Sequence, residues 1–254
     1  MARELRPDTY ARQTLERYTG SELPEFGEYI LLVNFPRYVE DFARMHGVPI
    51  RSGHWSAAHD RAGGVSIINF GVGSPSAGII THCLSFLRRV KAVLMIGMCG
   101  GIHDSLKVGT VVLPTASVRD EGTSRHYIPI DVPAMPHTKV NRVCNEVVRA
   151  EPGVSVHSGL MMTTDYRMWE FDREFIDYIH RHRIIAIDME IATIFAVAYA
   201  RNLPAGAVML VSDMPLRKGG IKDKKRMKEV FAQHTERHLH LGMKTVAELK
   251  RRGV

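Results

Sequence analysis

The sequence predicts an α/β protein built in three layers, with helices on both faces of a sheet. Two observations carry this. Short, wholly apolar runs of strand length alternate with segments of helical periodicity. The runs also lack the in-out alternation of a sheet with one wet face, so both faces must be covered. Composition agrees: 254 residues, 45% apolar and 24% charged, rule out a disordered chain. A chain this long buries enough surface to need no disulfide or metal staple.

The elements follow in order. Residues 29–33 form a buried strand, and residues 37–45 a helix with Val39, Phe42 and Ala43 inward. Residues 65–70 form a second strand, closed by Gly71-Val72-Gly73; Ser74-Pro75 then opens a helix running toward Arg89. Residues 91–96 are a third strand before Gly97, Gly100 and Gly101, and residues 110–118 a fourth. A helix over 140–150, a strand over 154–163 and a helix over 173–181 come next. A short strand at 184–187 leads into a helix over 190–201, and residues 205–211 form another continuous apolar strand. Residues 224–252 make one long helix, with Val230, Phe231, His234, Leu241, Val246 and Leu249 toward one side. No linker or repeat divides the chain, so residues 1–254 read as one domain in which residues 1–27 are an N-terminal extension.

Several function classes drop out. The apolar runs are shorter than the ~18 residues of a membrane span, and the charged start has no apolar run behind it to make a secretory signal. Cys83, Cys99 and Cys144 are odd in number and widely spaced, as reduced thiols of a cytoplasmic protein are, and make neither a disulfide framework nor a zinc site. No metal or cofactor is expected. The net charge is +7, concentrated at residues 217–228 and 250–252. This is either a solvated surface or a field that gathers a phosphorylated small substrate. No aromatic-interleaved basic stripe or zinc-finger spacing supports a nucleic-acid partner.

In such sheets ligands bind beyond the carboxyl ends of the strands, and polar residues collect there. Asp213 follows the apolar run ending at Val211. It is either a partly desolvated general acid or a turn aspartate before Pro215. Glu190 is either a first-turn carboxylate favouring the helix dipole or an acceptor for two vicinal hydroxyls. Trp169 either stacks on a flat ligand or belongs to the core. Gly71-Val72-Gly73 does not complete a dinucleotide fingerprint.

Asp188-Met189-Glu190-x-Ala192-Thr193 followed by Val211-Ser212-Asp213 resembles the paired signature of the nucleoside phosphorylase and nucleosidase superfamily. Asn34-Phe35-Pro36-Arg37 is similar to a variant of that superfamily's first phosphate loop, and residues 71–76 and 97–101 stand where its next two loops fall. Residues 117–127 resemble a loop of its uridine phosphorylase-like branch. Three further stretches, 163–170, 211–216 and 236–243, look like the catalytic domain of the AMP nucleosidase family. The resemblance runs from about residue 28 to 250 and implies a three-layer α/β/α sandwich around a central mixed sheet.

It also implies roles. Asp213 would protonate purine N7 as the glycosidic bond breaks, Glu190 would hold the ribose hydroxyls, and Met189 would pack on the sugar. Asp165, Tyr166 and Trp169 would frame the base, with Ser212, Gly73 and Gly100 in the substrate site. Arg37, Arg119, Arg125 and His126, or the 217–222 loop, would meet a 5′-phosphate, since a guanidinium suits phosphate geometry. Family phosphorylases bind the attacking phosphate with Arg and Ser where this chain has Met95 and Met98, and a thioether donates no hydrogen bond. The expected reaction is therefore hydrolysis of AMP to adenine and ribose 5-phosphate, with Glu190 and Asn34 as candidates to activate the water. The alternatives are a purine nucleoside phosphorylase and a non-catalytic nucleotide-binding module. A homohexamer arranged as a trimer of dimers is implied too, in which a neighbouring subunit completes the 5′ end of the site through His46, Arg51 or His54.

Overall fold

A computed structural model describes residues 6–221 and 224–254. The charged start at residues 1–5, Lys222 of the basic segment, and the side chains of Lys224 and Arg226 lie outside the described residues.

The described residues form nine strands and seven helices. The strands are β1 (Tyr29–Val33), β2 (Ile50–Ser52), β3 (Ser56–Asp60), β4 (Val65–Asn69), β5 (Ala92–Gly101), β6 (Val111–Asp120), β7 (Val156–Thr164), β8 (Ala186–Asp188) and β9 (Ala205–Asp213). The helices are α1 (Pro7–Thr19), α2 (Pro36–His46), α3 (Ser74–Leu84), α4 (Thr138–Ala150), α5 (Arg173–Arg181), α6 (Ile191–Ala200) and α7 (Lys224–Arg252). No described helix is long and apolar enough to cross a membrane.

One mixed sheet holds the strands in the order β2-β3-β4-β1-β5-β8-β7-β6-β9, and β9 also pairs in parallel with β5. The second half of the sheet thus closes on itself as a ring of β5, β8, β7, β6 and β9. Its seams are the antiparallel contacts of Gly100 and Gly101 with β8 and of Val111 and Val112 with β9.

The uniformly apolar strands now have their reason. Ile30 and Leu32 of β1 face a core shared with α1, α3 and α6, while Tyr29, Leu31 and Val33 face a second core under α2, α4 and α7. In β9, Ala205, Ala207, Met209 and Val211 join the first core, and Val208 and Leu210 the second. Every side chain is inside because each face carries a helical layer. The N-terminal extension belongs to this packing, since Ala11 and Leu15 of α1 lie in the first core.

Local chemistry sets the ends. Pro36 opens α2, and Gly47, at φ +63°, ends it in the left-handed conformation. Helix α3 stops at Leu84, short of the Arg89 expected, because the Ser85 hydroxyl donates to the His82 carbonyl and the following N–H groups make three-residue turns. The sequence reading missed α1 and the β2–β3 edge, whose residues show no apolar run.

Strands β5, β6, β7 and β9 continue past their apolar runs into the polar residues read as loops. Arg119 pairs with Thr163, Asp120 with Thr164, and Thr163 with Asp188 across the sheet. The polar residues therefore stand on a hydrogen-bonded scaffold, not on flexible connections.

Candidate active site

A cavity of about 300 Å³ opens at the carboxyl ends of these strands. Its wall combines Asn34 and Phe35 after β1, Val72 after β4, Met98 to Gly100 of β5, and Thr164, Tyr166, Arg167, Trp169 and Glu170 at and beyond the end of β7. Ile187 to Glu190 at the β8–α6 junction, Ser212 and Asp213 at the end of β9, and Met227 of α7 complete it. The size and the mix of apolar wall with a few convergent polar groups suit a small-molecule ligand.

The β8–α6 junction is held by a set of short hydrogen bonds. Asp188 is buried, and its Oδ1 accepts the Thr163 hydroxyl at 2.6 Å. Its Oδ2 accepts the N–H groups of Glu190 and Ile191 at 2.9 and 2.7 Å. Glu190, only 1% exposed, accepts the Gly73 N–H on Oε1 at 2.8 Å and faces Asn34 Nδ2 at 3.5 Å. The backbone of Gly73 adopts φ +107°, open to glycine, as it approaches that carboxylate. Burial first, and the adjacent Asp188 charge second, push the Glu190 carboxyl well above the usual carboxylate range. Burial also raises Asp188, against the pull of its hydrogen bonds.

The end of β9 holds Asp213, half-buried, with the Ser212 hydroxyl 2.6 Å from its Oδ1 and 3.3 Å from the Cys99 carbonyl. The β5–β9 ladder slips here: Cys99 pairs with Val211 but Gly100 with Asp213, leaving Ser212 as an extra residue. Two carboxylates, one buried and one half-buried, thus share one cavity.

Comparison with known proteins places this geometry. Residues 19–247 match the family model described as the phosphorylase superfamily. AMP nucleosidase of Escherichia coli K12 is 29% identical over 285 residues, covering 94% of this chain. The crystal structure of AMP nucleosidase from Bacteroides thetaiotaomicron superposes with a TM-score of 0.84 at 33% identity, covering 97% of this chain and 98% of that one. The chain belongs to the AMP nucleosidase family of the phosphorylase superfamily. It spans 58% of the length of the Escherichia coli relative. Uridine phosphorylase from Vibrio fischeri, 17% identical with a TM-score of 0.78, shares the fold.

Within this family frame, the structure brings Asp213, Glu190, Met189, Ser212, Tyr166, Trp169 and Gly100 into one cavity wall, and Gly73 onto the Glu190 carboxylate. It holds others apart. Asp165 is exposed and accepts the Gly122 N–H instead of lining the cavity. Arg37 pairs with Asp41 at 2.9 Å. Arg119 is buried, and its guanidinium holds Ser124 Oγ and the carbonyls of Ile128, Pro129 and Val132. It is the clamp of the loop after β6. Arg125 and His126 are exposed on a short turn and do not line the cavity. Arg217 binds the carbonyls of Asp104 and Leu106. His46 pairs with Asp60, Arg51 with Glu25, and His54 packs on Tyr18 and Trp55. Met98 lines the cavity, whereas Met95 is buried in the core under α3 and α6.

Arg167, Glu170 and Met227 were not read from the sequence as site residues. Arg167 is the one cationic side chain among the described lining residues, and it pairs with the nearly buried Glu170. Met227 comes from the first turn of a helix far along the chain, which no local pattern announces.

Proposed function

We propose that the chain hydrolyses the N-glycosidic bond of AMP, releasing adenine and ribose 5-phosphate. The supporting observation is the pairing of a half-buried aspartate with a fully buried glutamate across one cavity, in a chain of the AMP nucleosidase family.

Asp213 donates its proton to purine N7, so that the base leaves as a neutral molecule; a positioned acid of this kind contributes ~10²–10⁴-fold. Its partial exposure lets solvent restore the proton after each turnover. Glu190, ionised in the complex, accepts hydrogen bonds from the ribose hydroxyls and steadies the positive charge that grows on the sugar as the bond opens. Met189 packs on the sugar, and Tyr166 and Trp169 flank the base. The Oδ1 of Asn34 is buried and has no protein partner. It stands beside Glu190 and is the acceptor that holds the attacking water, whose oxygen bonds to C1′ as the C1′–N9 bond breaks and whose proton passes to solvent. Met98 gives the cavity a thioether where a phosphate nucleophile needs a donor.

For the 5′-phosphate, Arg167 is the cation at hand. A neighbouring copy would complete the 5′ end of the site in a homo-oligomer, which we take to be a hexamer built as a trimer of dimers. Light scattering that gives a monomer refutes that assembly.

The decisive experiment is product analysis with AMP, adenosine and IMP in phosphate-free buffer. Adenine release from AMP without phosphate is the expected result. Strict phosphate dependence would make the protein a phosphorylase, and tight AMP binding without turnover would make it a binding module.

A further inference from the structure

The N-terminus of α6 is satisfied in an unusual way. A helix leaves its first N–H groups without intrahelical partners, and the residue before the helix commonly caps them with its own side chain. Glu190 occupies that position but makes no such bond. The capping is done from outside: Asp188 takes the N–H groups of Glu190 and Ile191, and the Thr163 hydroxyl oxygen takes that of Ala192 at 2.9 Å. Thr163 in turn donates to Asp188 and lies 3.0 Å from Ser117 Oγ. Three successive N–H groups are thus fixed by side chains from β7 and β8, and the Glu190 carboxylate is released from its own helix to face Gly73, Asn34 and the cavity.

We infer that Asp188 is a positioning residue, fixing the backbone at the entry to α6 so that the Glu190 carboxylate stands where the ribose hydroxyls meet it. The inference rests on the proposed role of Glu190 at the sugar. The brace uses both carboxyl oxygens of Asp188, one for the Thr163 hydroxyl and one for two N–H groups. The ionisable groups facing Asp188 are Glu190 at the junction and Glu121 beyond β6; the Asp188 charge makes ionisation of Glu190 harder, and the Glu121 charge does the same to Asp188.

Two substitutions separate the brace from the charge. In Asp188→Asn the amide oxygen keeps both N–H groups, and its NH2 faces Thr163, which turns its proton to Ser117, a contact either oxygen can donate. The brace stays and the charge goes. Asp188→Ala removes both. The full chain is assayed from pH 5 to 9 for kcat and KM with AMP, and with adenosine plus phosphate, while calorimetry follows ribose 5-phosphate binding. Asp188→Ala is expected to raise KM at least about tenfold. Asp188→Asn is expected to keep KM within about threefold at its optimum, while the acid limb of kcat/KM moves to lower pH because a like charge beside Glu190 has gone.

An unchanged KM in Asp188→Ala, or an unmoved acid limb in an Asp188→Asn protein with wild-type thermal unfolding, overturns the inference. If both variants fail to fold, Thr163→Val tests the same brace without touching Asp188: a raised KM supports the inference and an unchanged KM overturns it. A wild type that cleaves only with phosphate sinks the proposed hydrolysis but leaves the acid limb readable. A wild type that neither turns over nor binds ribose 5-phosphate overturns both.

Discussion

Replacing Glu190 with glutamine should make the free protein more stable while impairing its activity. The native carboxyl is wholly buried, receives one short N–H bond and lies next to a second carboxylate, so the fold favours its protonated form. In the unfolded chain it ionises near pH 4.5. Above that pH the unfolded state has released a proton that the native state keeps, so native stability falls as pH rises. Each unit of elevation corresponds to ~1.4 kcal/mol. A carboxamide escapes this loss; its NH2 meets Asn34 once that amide turns its Oδ1 toward it, one hydrogen bond replacing another. The gain is about 2 kcal/mol or more at pH 8, which for a chain of this size is about 4–8 °C in Tm. Near pH 5 the gain vanishes. Thermal unfolding of both proteins at pH 5 and 8 reads the difference directly. A Glu190→Gln protein that melts below wild type at pH 8, or gains equally at both values, refutes the reasoning.

Asp213→Asn should lower turnover by at least ~10² and leave AMP affinity within a few-fold, measured by steady-state kinetics and calorimetry. Unchanged turnover removes Asp213 from the mechanism. Arg119→Lys should lower Tm by several degrees, through loss of a fork that holds one hydroxyl and three carbonyls at about 1 kcal/mol each. Its KM for AMP should stay within a few-fold; a selective loss of phosphorylated over unphosphorylated substrate would return Arg119 to the ligand. His238 is buried between Tyr38 and the Val208 carbonyl, and burial holds its pKa down to about 4. Below pH 6.5 the unfolded chain takes up a proton that this ring refuses, so stability falls toward pH 4. His238→Gln should flatten that fall, and an equally steep acid loss of Tm would count against it.

Much of the fold was legible because each strand is apolar on both faces, a pattern that only a doubly covered sheet produces. Helix α5 was read to the residue, 173–181, because Asp172 caps it and basic residues close it. The ends of β5, β6, β7 and β9 were read too early, since hydropathy stops at the first polar residue whereas the backbone ladder does not. The edge pair β2–β3 was invisible: Ile50-Arg51-Ser52 is exposed and carries no periodic signal. In the site, Glu190 and Asp213 stood out as carboxylates abutting apolar runs. Asp188 was quoted only as part of a motif, because its importance lies in which N–H groups it meets, and that is set by the turn into α6. Arg119 was ambiguous for a related reason. A guanidinium suited to phosphate is equally suited to backbone carbonyls, and Arg119 has four such acceptors nearby.

The closed half of the sheet bears on how copies of this chain can meet. With β9 joined on both sides, the free strand border among the described residues is β2, three exposed residues spanning roughly 10 Å. A border so short offers little for another chain to extend. Any assembly of subunits must therefore be written in the side chains of helices and loops, where a single substitution can dissolve the contact without disturbing a strand.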